Sequence, residues 1–296
     1  MDDRLRELKD GSFIINQKNL CKDIEKLWWS QYGSNFTFWD KKFIKLESDK
    51  EFKYNKISLC TNVMDRLDDL KQTLPQNIKD NSDYPNVEYV ILDYNSTEDN
   101  PGMWIKKNYM NMIESGEMIF IQECTVKNYS MSHSRNICFK VATGDIVINI
   151  DADGFTNKGF CTFLNRLAND QPEKAIFTKG KSMTRGRLGF YKNEFIDLLG
   201  GYDENMEGYG HDDKDLMYRA WQLGFKMMWF GGQFYRAVEG HKKHQSANYK
   251  RSWKITESRN KLISIINLIV GDLKSNENHR WGRATLRKNF NEWIKI

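Results

Sequence analysis

The stretch Ile146-Val-Ile-Asn-Ile-Asp-Ala-Asp153 is a short apolar run rich in β-branched residues that stops at two carboxylates and is followed by Gly154. The run reads as a buried strand. Residues i and i+2 of a strand point the same way, so Asp151 and Asp153 leave the strand end as a pair. Ligands of open α/β sheets bind beyond the carboxyl ends of the strands. A carboxylate pair placed there suits a hard divalent cation such as Mn²⁺ or Mg²⁺ bridging a phosphate group. The competing reading is an ordinary turn, because Asp-x-Asp also occurs by chance.

The sequence upstream of this strand alternates regularly. Residues 57–61, 87–93 and 118–124 read as strands. Residues 64–78, 102–115 and 132–142 read as helices; in the first, Leu67, Leu70 and Leu74 recur at helical spacing. Gly144 follows the third helix as a stop signal. Downstream, a helix over 158–169, a strand over 175–179, a glycine-punctuated stretch, a helix over 212–223 and a strand over 225–230 continue the pattern. The expectation is an α/β fold: one Rossmann-like, open, mostly parallel sheet with helices on both faces. Residues 1–54, rich in Trp and Phe, read as a helical extension. Residues 246–296 read as a basic, helical C-terminal extension. Between them, 55–245 is one catalytic domain with a nucleotide-binding half over 55–153 and an acceptor half over 154–245.

Bulk properties narrow the function. The 296 residues are 40% hydrophobic and 29% charged, with a net charge of +5. That balance permits an ordinary core and gives no basic stripe for nucleic acid. The 17 Phe, 13 Tyr and 9 Trp supply rings able to build a core or stack on sugars and bases. Five widely spaced cysteines without a Cys-x-x-Cys pair fit free thiols in a reducing cytosol rather than a zinc site. The charged N-terminus does not read as a signal peptide, and the apolar stretch 262–270 is too short to cross a bilayer. A cytoplasmic protein is expected, with contact at the inner membrane face left open and oligomeric state undetermined.

Four further constellations carry candidate chemistry. Gly208-Tyr-Gly-His-Asp-Asp-Lys-Asp215 places Asp212 and Asp213 at a helix start. There they cap the helix against its dipole, or serve as a general base beside an acceptor-binding carboxylate. His241-Lys-Lys-His244 offers an imidazole ligand for a transition metal, and either histidine would do. Thr61, Asn62 and Arg66 follow the first strand; Asp93-Tyr-Asn-Ser96 follows the second. Both loops lie where a base and ribose sit in such a sheet, though Asn, Ser and Asp are also common turn residues. Ser134-Arg135-Asn136 lies on the helix before the 146–150 strand, and Arg135 can pair with a phosphate or with a surface carboxylate.

In this order the segments resemble the type-A nucleotide-sugar glycosyltransferases, particularly glycosyltransferase family 2, and the second half resembles the β-1,4-galactosyltransferases. The resemblance spans residues 57–244. Val90-Ile-Leu-Asp-Tyr-Asn-Ser-Thr97 looks like the family's Val-Asp-x-x-Ser element, implying that Asp93 contacts uracil. Ser134-Arg-Asn136, Gly144-Asp145 and Asp151-Ala152-Asp153 look like its Arg-Asn…Gly-Asp…Asp-x-Asp run, implying nucleotide-sugar contacts from Arg135, Asn136, Asp151 and Ala152. Arg187-Leu-Gly-Phe190 with Gly200-Gly-Tyr-Asp203 resembles an acceptor-side loop. Gly208-Tyr-Gly-His-Asp-Asp213 resembles Gly-Trp-Gly-x-Glu-Asp, with Tyr209 for Trp and Asp212 for Glu. By that likeness Asp213 is the catalytic base, and Asp212, Tyr209 and Arg187 bind acceptor. The likeness also implies a metal held by Asp151, Asp153 and His244 or His241. The activity implied is inverting transfer of a sugar from a UDP-sugar to a hydroxyl of a glycan or glycolipid acceptor, in surface polysaccharide or glycoconjugate synthesis. Two rivals stand beside it. A metal-dependent nucleotidyltransferase would want a glycine-rich phosphate loop, and residues 61–67 contain no glycine. A non-catalytic sugar-binding protein could use the same fold.

Overall fold

The computed structural model describes residues 5–7, 13–15, 53–179, 187–239, 248–276 and 281–296. Strands β1 (Leu5–Glu7) and β2 (Phe13–Ile15) form a small antiparallel hairpin. The rest of the expected N-terminal extension up to residue 52 lies outside the described residues, as do His241 and His244.

The main sheet is built from β3 (Ile57–Val63), β4 (Val87–Tyr94), β5 (Met118–Glu123), β6 (Ile146–Asn149), β8 (Ala175–Thr178) and β10 (Lys226–Trp229). These six run in one direction. β9 (Leu188–Tyr191) lies antiparallel between β6 and β8. β12 (Thr285–Lys288) and β13 (Glu292–Lys295) add an antiparallel edge beside β5. The order is β10-β8-β9-β6-β3-β4-β5-β12-β13. A two-stranded piece, β7 (Gly154–Phe155) with β11 (Arg236–Ala237), lies beyond the end of β6.

Alternation along the strands sorts the core into two layers. Ile57, Leu59, Tyr89, Ile91, Ile146 and Ile148 face one side. They meet helices α1 (Leu67–Asp80), α2 (Pro101–Glu114) and α4 (Phe160–Asp170) through Leu70, Leu74, Ile105, Phe160 and Leu164. Cys60, Val90, Leu92, Ile119 and Val147 face the other side. They meet α3 (Met131–Val141), α5 (Lys192–Asp197) and α6 (Asp212–Gln222) through Ile137, Phe139, Phe195 and Leu216. With both faces covered, the central strands are apolar throughout. Each fully buried Leu or Ile contributes about 1.5–3 kcal/mol of transfer free energy.

The β1–β2 hairpin stands where the sequence predicts a helical extension, and two further elements differ from the sequence expectation. Residues 188–191 form a strand because Gly189 opposes Ile148; a Cβ at Gly189 would lie 2.9 Å from the Ile148 Cβ. The C-terminal region is helical only over α7 (Trp253–Val270). Residues 285–295 are instead a hairpin, whose turn places Asn289 and Phe290 at φ of 48° and 70°. Leu286 pairs with Glu123, so the strand's template lies far upstream in the chain. Among the described residues no helix is long and apolar enough to cross a membrane.

Candidate active site

The turn after β6 is held from behind. Gly154 N donates to Asp151 O at 2.7 Å. The Thr73 hydroxyl of α1 donates to Ala152 O at 2.6 Å, and Asn77 Nδ2 to Gly154 O at 2.9 Å. Val238 N, just past β11, donates to Asp153 O at 2.8 Å. With the backbone committed, both carboxylates point out of the sheet, their side chains 37% and 23% exposed. Asn149 Nδ2 donates to Asp151 Oδ1 at 2.8 Å. Arg135 Nη2 reaches Asp151 at 3.5 Å, and Arg66 Nη2 reaches Asp153 at the same distance. Burial, followed by the Asp151 charge, pushes the Asp153 carboxyl above the usual carboxylate range. A carboxylate in that state gains from a cation. The hard, partly open oxygen pair therefore fits Mn²⁺ or Mg²⁺. Among the described residues no third His, Cys, Asp or Glu completes a metal shell.

The neighbouring strand ends form a laced rim. Val63, Asp93 and Gln122 stand side by side across β3, β4 and β5. Asp93 accepts from Ser96 N at 3.0 Å and Gln122 Nε2 at 3.3 Å. Burial raises its pKa. Ser96 Oγ accepts from Asp65 N at 3.0 Å, and Asp65 Oδ1 accepts from Thr97 N and Glu98 N at 2.7 and 2.8 Å. The loops after β3 and β4 thus fix each other.

Helix α3 sends three consecutive side chains to three places. Ser134 Oγ accepts from Asn62 Nδ2 at 2.6 Å. Asn136 clamps the 201–204 loop: its Oδ1 accepts from Tyr202 N at 2.8 Å, and its Nδ2 donates to Tyr202 O and Glu204 at 2.9 and 2.8 Å. Gly201 is required beneath it, at φ 81° and with a Cβ position 2.7 Å from Asn136 Oδ1. Arg135, between them, is 1% exposed. Its Nη1 donates to Asp212 and, at 2.7 Å, to Asp213 Oδ1, while its Nη2 faces Asp151. Its guanidinium also lies 5.4 Å from the Tyr202 ring centre. Burial, followed by the charge of Asp213, pushes the buried Asp212 carboxyl upward. One guanidinium therefore ties the acidic start of α6 to the carboxylate turn after β6. Arg135 meets carboxylates, as one of its two sequence readings has it, but in the interior and not at the surface.

Residues 58–179 match the family model described as glycosyl transferase family 2. They form a family 2 glycosyltransferase domain. The fold is shared with mannosyltransferase PcManGT from Pyrobaculum calidifontis, solved with GDP-Man and Mn²⁺ (TM-score 0.57, 18% identity, 88% of this chain and 75% of that one). It is also shared with residues 1–349 of S. aureus TarS in complex with UDP-GlcNAc (TM-score 0.51, 14% identity, 75% and 74% covered). No curated protein matches the chain in sequence.

Several residues expected at the glycosyltransferase site are engaged by the protein itself. Asn62 and Asn136 spend their amides as described above, and Thr61 is buried within β3. Arg187, expected to meet acceptor, is 1% exposed. It donates to Phe155 O at 3.0 Å and to Phe234 O, and it stacks 4.9 Å from the Tyr235 ring centre. It braces the β7–β11 piece behind Asp153. Arg66 pairs with Asp69 and faces Asp153. Tyr209 is open, at 42% exposure.

The structure adds residues that pattern reading did not single out. Tyr129 and Tyr249 pack edge to face at 5.7 Å, and Tyr249 meets Tyr209 at 6.0 Å. Asn248 Nδ2 donates to Met64 O at 3.2 Å and Asp65 Oδ2 at 3.3 Å. The start of the C-terminal region thus crosses from the rim to the Tyr209 loop. No local spacing signals such a long-range contact.

Proposed function

We propose that the chain transfers a sugar from a nucleotide-sugar donor, UDP-linked by the motif likeness, to a hydroxyl of a glycan or glycolipid acceptor, with inversion. The supporting observation is the span of Arg135, which holds Asp212, Asp213 and Asp151 together at the mouth of the sheet. In this reading the rim around Asp93 and Ser96 takes the base and ribose. Asp151 and Asp153 hold Mn²⁺ or Mg²⁺, with His241 or His244 as a further ligand. Such a cation supplies Lewis-acid neutralisation of the departing nucleoside diphosphate.

Asp213 accepts the proton of the acceptor hydroxyl as that oxygen bonds to the anomeric carbon. The bond from the anomeric carbon to the phosphate oxygen breaks on the opposite side. Asp213 is the less enclosed of the pair, with its side chain 15% exposed against 6% for Asp212, so it can meet the hydroxyl. Arg135 keeps its carboxylate oriented while Tyr209 lines the approach.

Two measurements test this reading. Calorimetric titration of UDP should show binding with Mn²⁺ that EDTA abolishes, and no binding in either condition defeats the uridine assignment. Asp213→Asn should lower transfer by about 10²–10⁴-fold, the usual contribution of a general base, and leave UDP binding intact. Near-normal turnover would remove Asp213 from the role.

A further inference from the structure

Helix α7 buries a mixed face, on which Ile265 and Leu268 sit beside polar residues. Its buried positions include Thr256, Asn260 and Ser264, three polar residues at four-residue intervals on one face. Thr256 and Asn260 serve the acceptor loop. Thr256 Oγ1 donates to Tyr209 O at 2.9 Å, and Asn260 Nδ2 donates to Glu207 O and Gly210 O at 3.0 and 2.8 Å. The opposite face carries Ile255, Ile266, Ile269 and Val270, exposed by 58%, 47%, 54% and 69%. Leu262 lies between them and is only partly covered. The helix therefore turns an apolar stripe outward, interrupted by Arg259 and about 22 Å long from Ile255 to Val270 at 1.5 Å per residue. Burying branched side chains in this way is favourable only against an apolar partner.

Charge identifies the partner. Residues 248–276 hold six basic residues against two acidic ones, most of the excess behind the whole chain's +5. Lys250, Arg251, Lys254 and Lys274 are exposed around the stripe, and Trp253 opens the helix at 46% exposure. An apolar face flanked by lysines, with a tryptophan at one end, is the pattern of a helix lying in a membrane interface. A second copy of the helix would instead bring one basic cluster against another, with Arg259 in the seam.

We propose that α7 docks this chain, outer face down, on an anionic lipid bilayer. The inner face of the same helix holds Tyr209, and α6 with Asp213 follows directly. Docking therefore brings the acceptor loop to within roughly one helix diameter, about 10 Å, of the headgroups. Resting on the transfer reading above, this makes the acceptor a lipid-carried glycan.

The test is flotation of the full chain with phosphatidylcholine vesicles, with and without phosphatidylglycerol. The anionic vesicles should carry it up at least about tenfold better, since each basic residue near such a surface strengthens binding about fivefold. The double variant Ile266→Ser/Ile269→Ser and the charge reversal Lys250→Glu/Lys254→Glu should each lose about tenfold or more. Both pairs lie at exposed positions, and unchanged circular dichroism and UDP binding will show that the variants fold. Equal flotation of wild type and both variants overturns the proposal, as does a wild type that stays down with either vesicle. A wild-type dimer that Ile266→Ser/Ile269→Ser converts to monomer, with no vesicle binding, assigns the face to a second copy and also overturns it. If vesicles bind but UDP does not, the docking stands and the transfer reading fails.

Discussion

The turn after β6 and the shelf at the start of α6 each rest on a buried arginine, and the two are used in opposite ways. Arg187, behind the turn, has carbonyl partners and aromatic rings around its guanidinium. Burial pulls its pKa down to about 10. It is a brace: a rigid fork that satisfies backbone acceptors where no water reaches. Arg135, under the shelf, faces three carboxylates. Burial would lower its pKa, but Asp213 and Asp212 outweigh burial and raise it. It is a counterion whose loss would leave Asp212 and Asp213 side by side in the interior. The difference separates two kinds of support for a reactive turn, one geometric and one electrostatic.

Replacement of each arginine by methionine breaks the comparison in a measurable way. Arg135→Met should cost about 3–5 kcal/mol of unfolding free energy, the usual penalty for stranding a buried charge. Adding Asp212→Asn to it should restore part of that loss, because one of the two stranded carboxylates becomes neutral. Arg187→Met strands only carbonyls and removes a desolvated charge. Its cost should stay near 1–3 kcal/mol, with no recovery on adding Asp212→Asn. Denaturant midpoints read both. Equal losses for the two arginines would erase the distinction. Between these in size lies Asp153→Ala, which should weaken Mn²⁺-dependent UDP binding roughly ten- to a hundredfold. It should leave metal-free stability nearly unchanged, since the partly exposed Asp153 carboxylate meets the Arg66 guanidinium no closer than 3.5 Å. Unchanged donor affinity would move the metal elsewhere.

The turn was far more legible in the sequence than the shelf's support. Ile146–Asn149 with its following carboxylates is a local pattern: β-branched, apolar and then abruptly acidic. The helix start at Asp212 is equally local. Arg135 is different. Its carboxylate partners on α6 lie 77 and 78 positions away, and a lone arginine on a predicted helix reads as a surface residue. β9 escaped because its four residues include a glycine whose need is the close approach of Ile148, a neighbour far away in sequence. The β12–β13 hairpin escaped because its alternation is brief and its template is the free edge of β5. In α7 the apolar residues mark a helix correctly, but Ile255, Ile266, Ile269 and Val270 point outward while Ile265 and Leu268 point in. Only the contacts of Thr256 and Asn260 show which face is inside.

His211 gives the smallest effect and a direct check on how dry the shelf is. It precedes α6 with φ of 70°, and its Nε2 has no hydrogen-bond partner among the described residues. Burial, helped by Lys214 and Lys261, lowers its pKa from 6.5 to about 3. In the unfolded chain the imidazole binds a proton as pH falls below 6.5, whereas in the folded chain it stays neutral until about 3. The unfolded state therefore holds more protons in that window. The stability associated with the neutral buried ring is full above pH 6.5 and is lost as pH falls. Between pH 7 and pH 5.5 the loss amounts to about 1 kcal/mol. His211→Asn keeps a residue type that tolerates positive φ and removes the titration. Its unfolding free energy should fall less than the wild type's over the same interval, by that amount. If the two proteins lose stability in parallel, the ring is already hydrated. Water would then reach the first turn of α6, where Asp212 owes its raised pKa chiefly to burial.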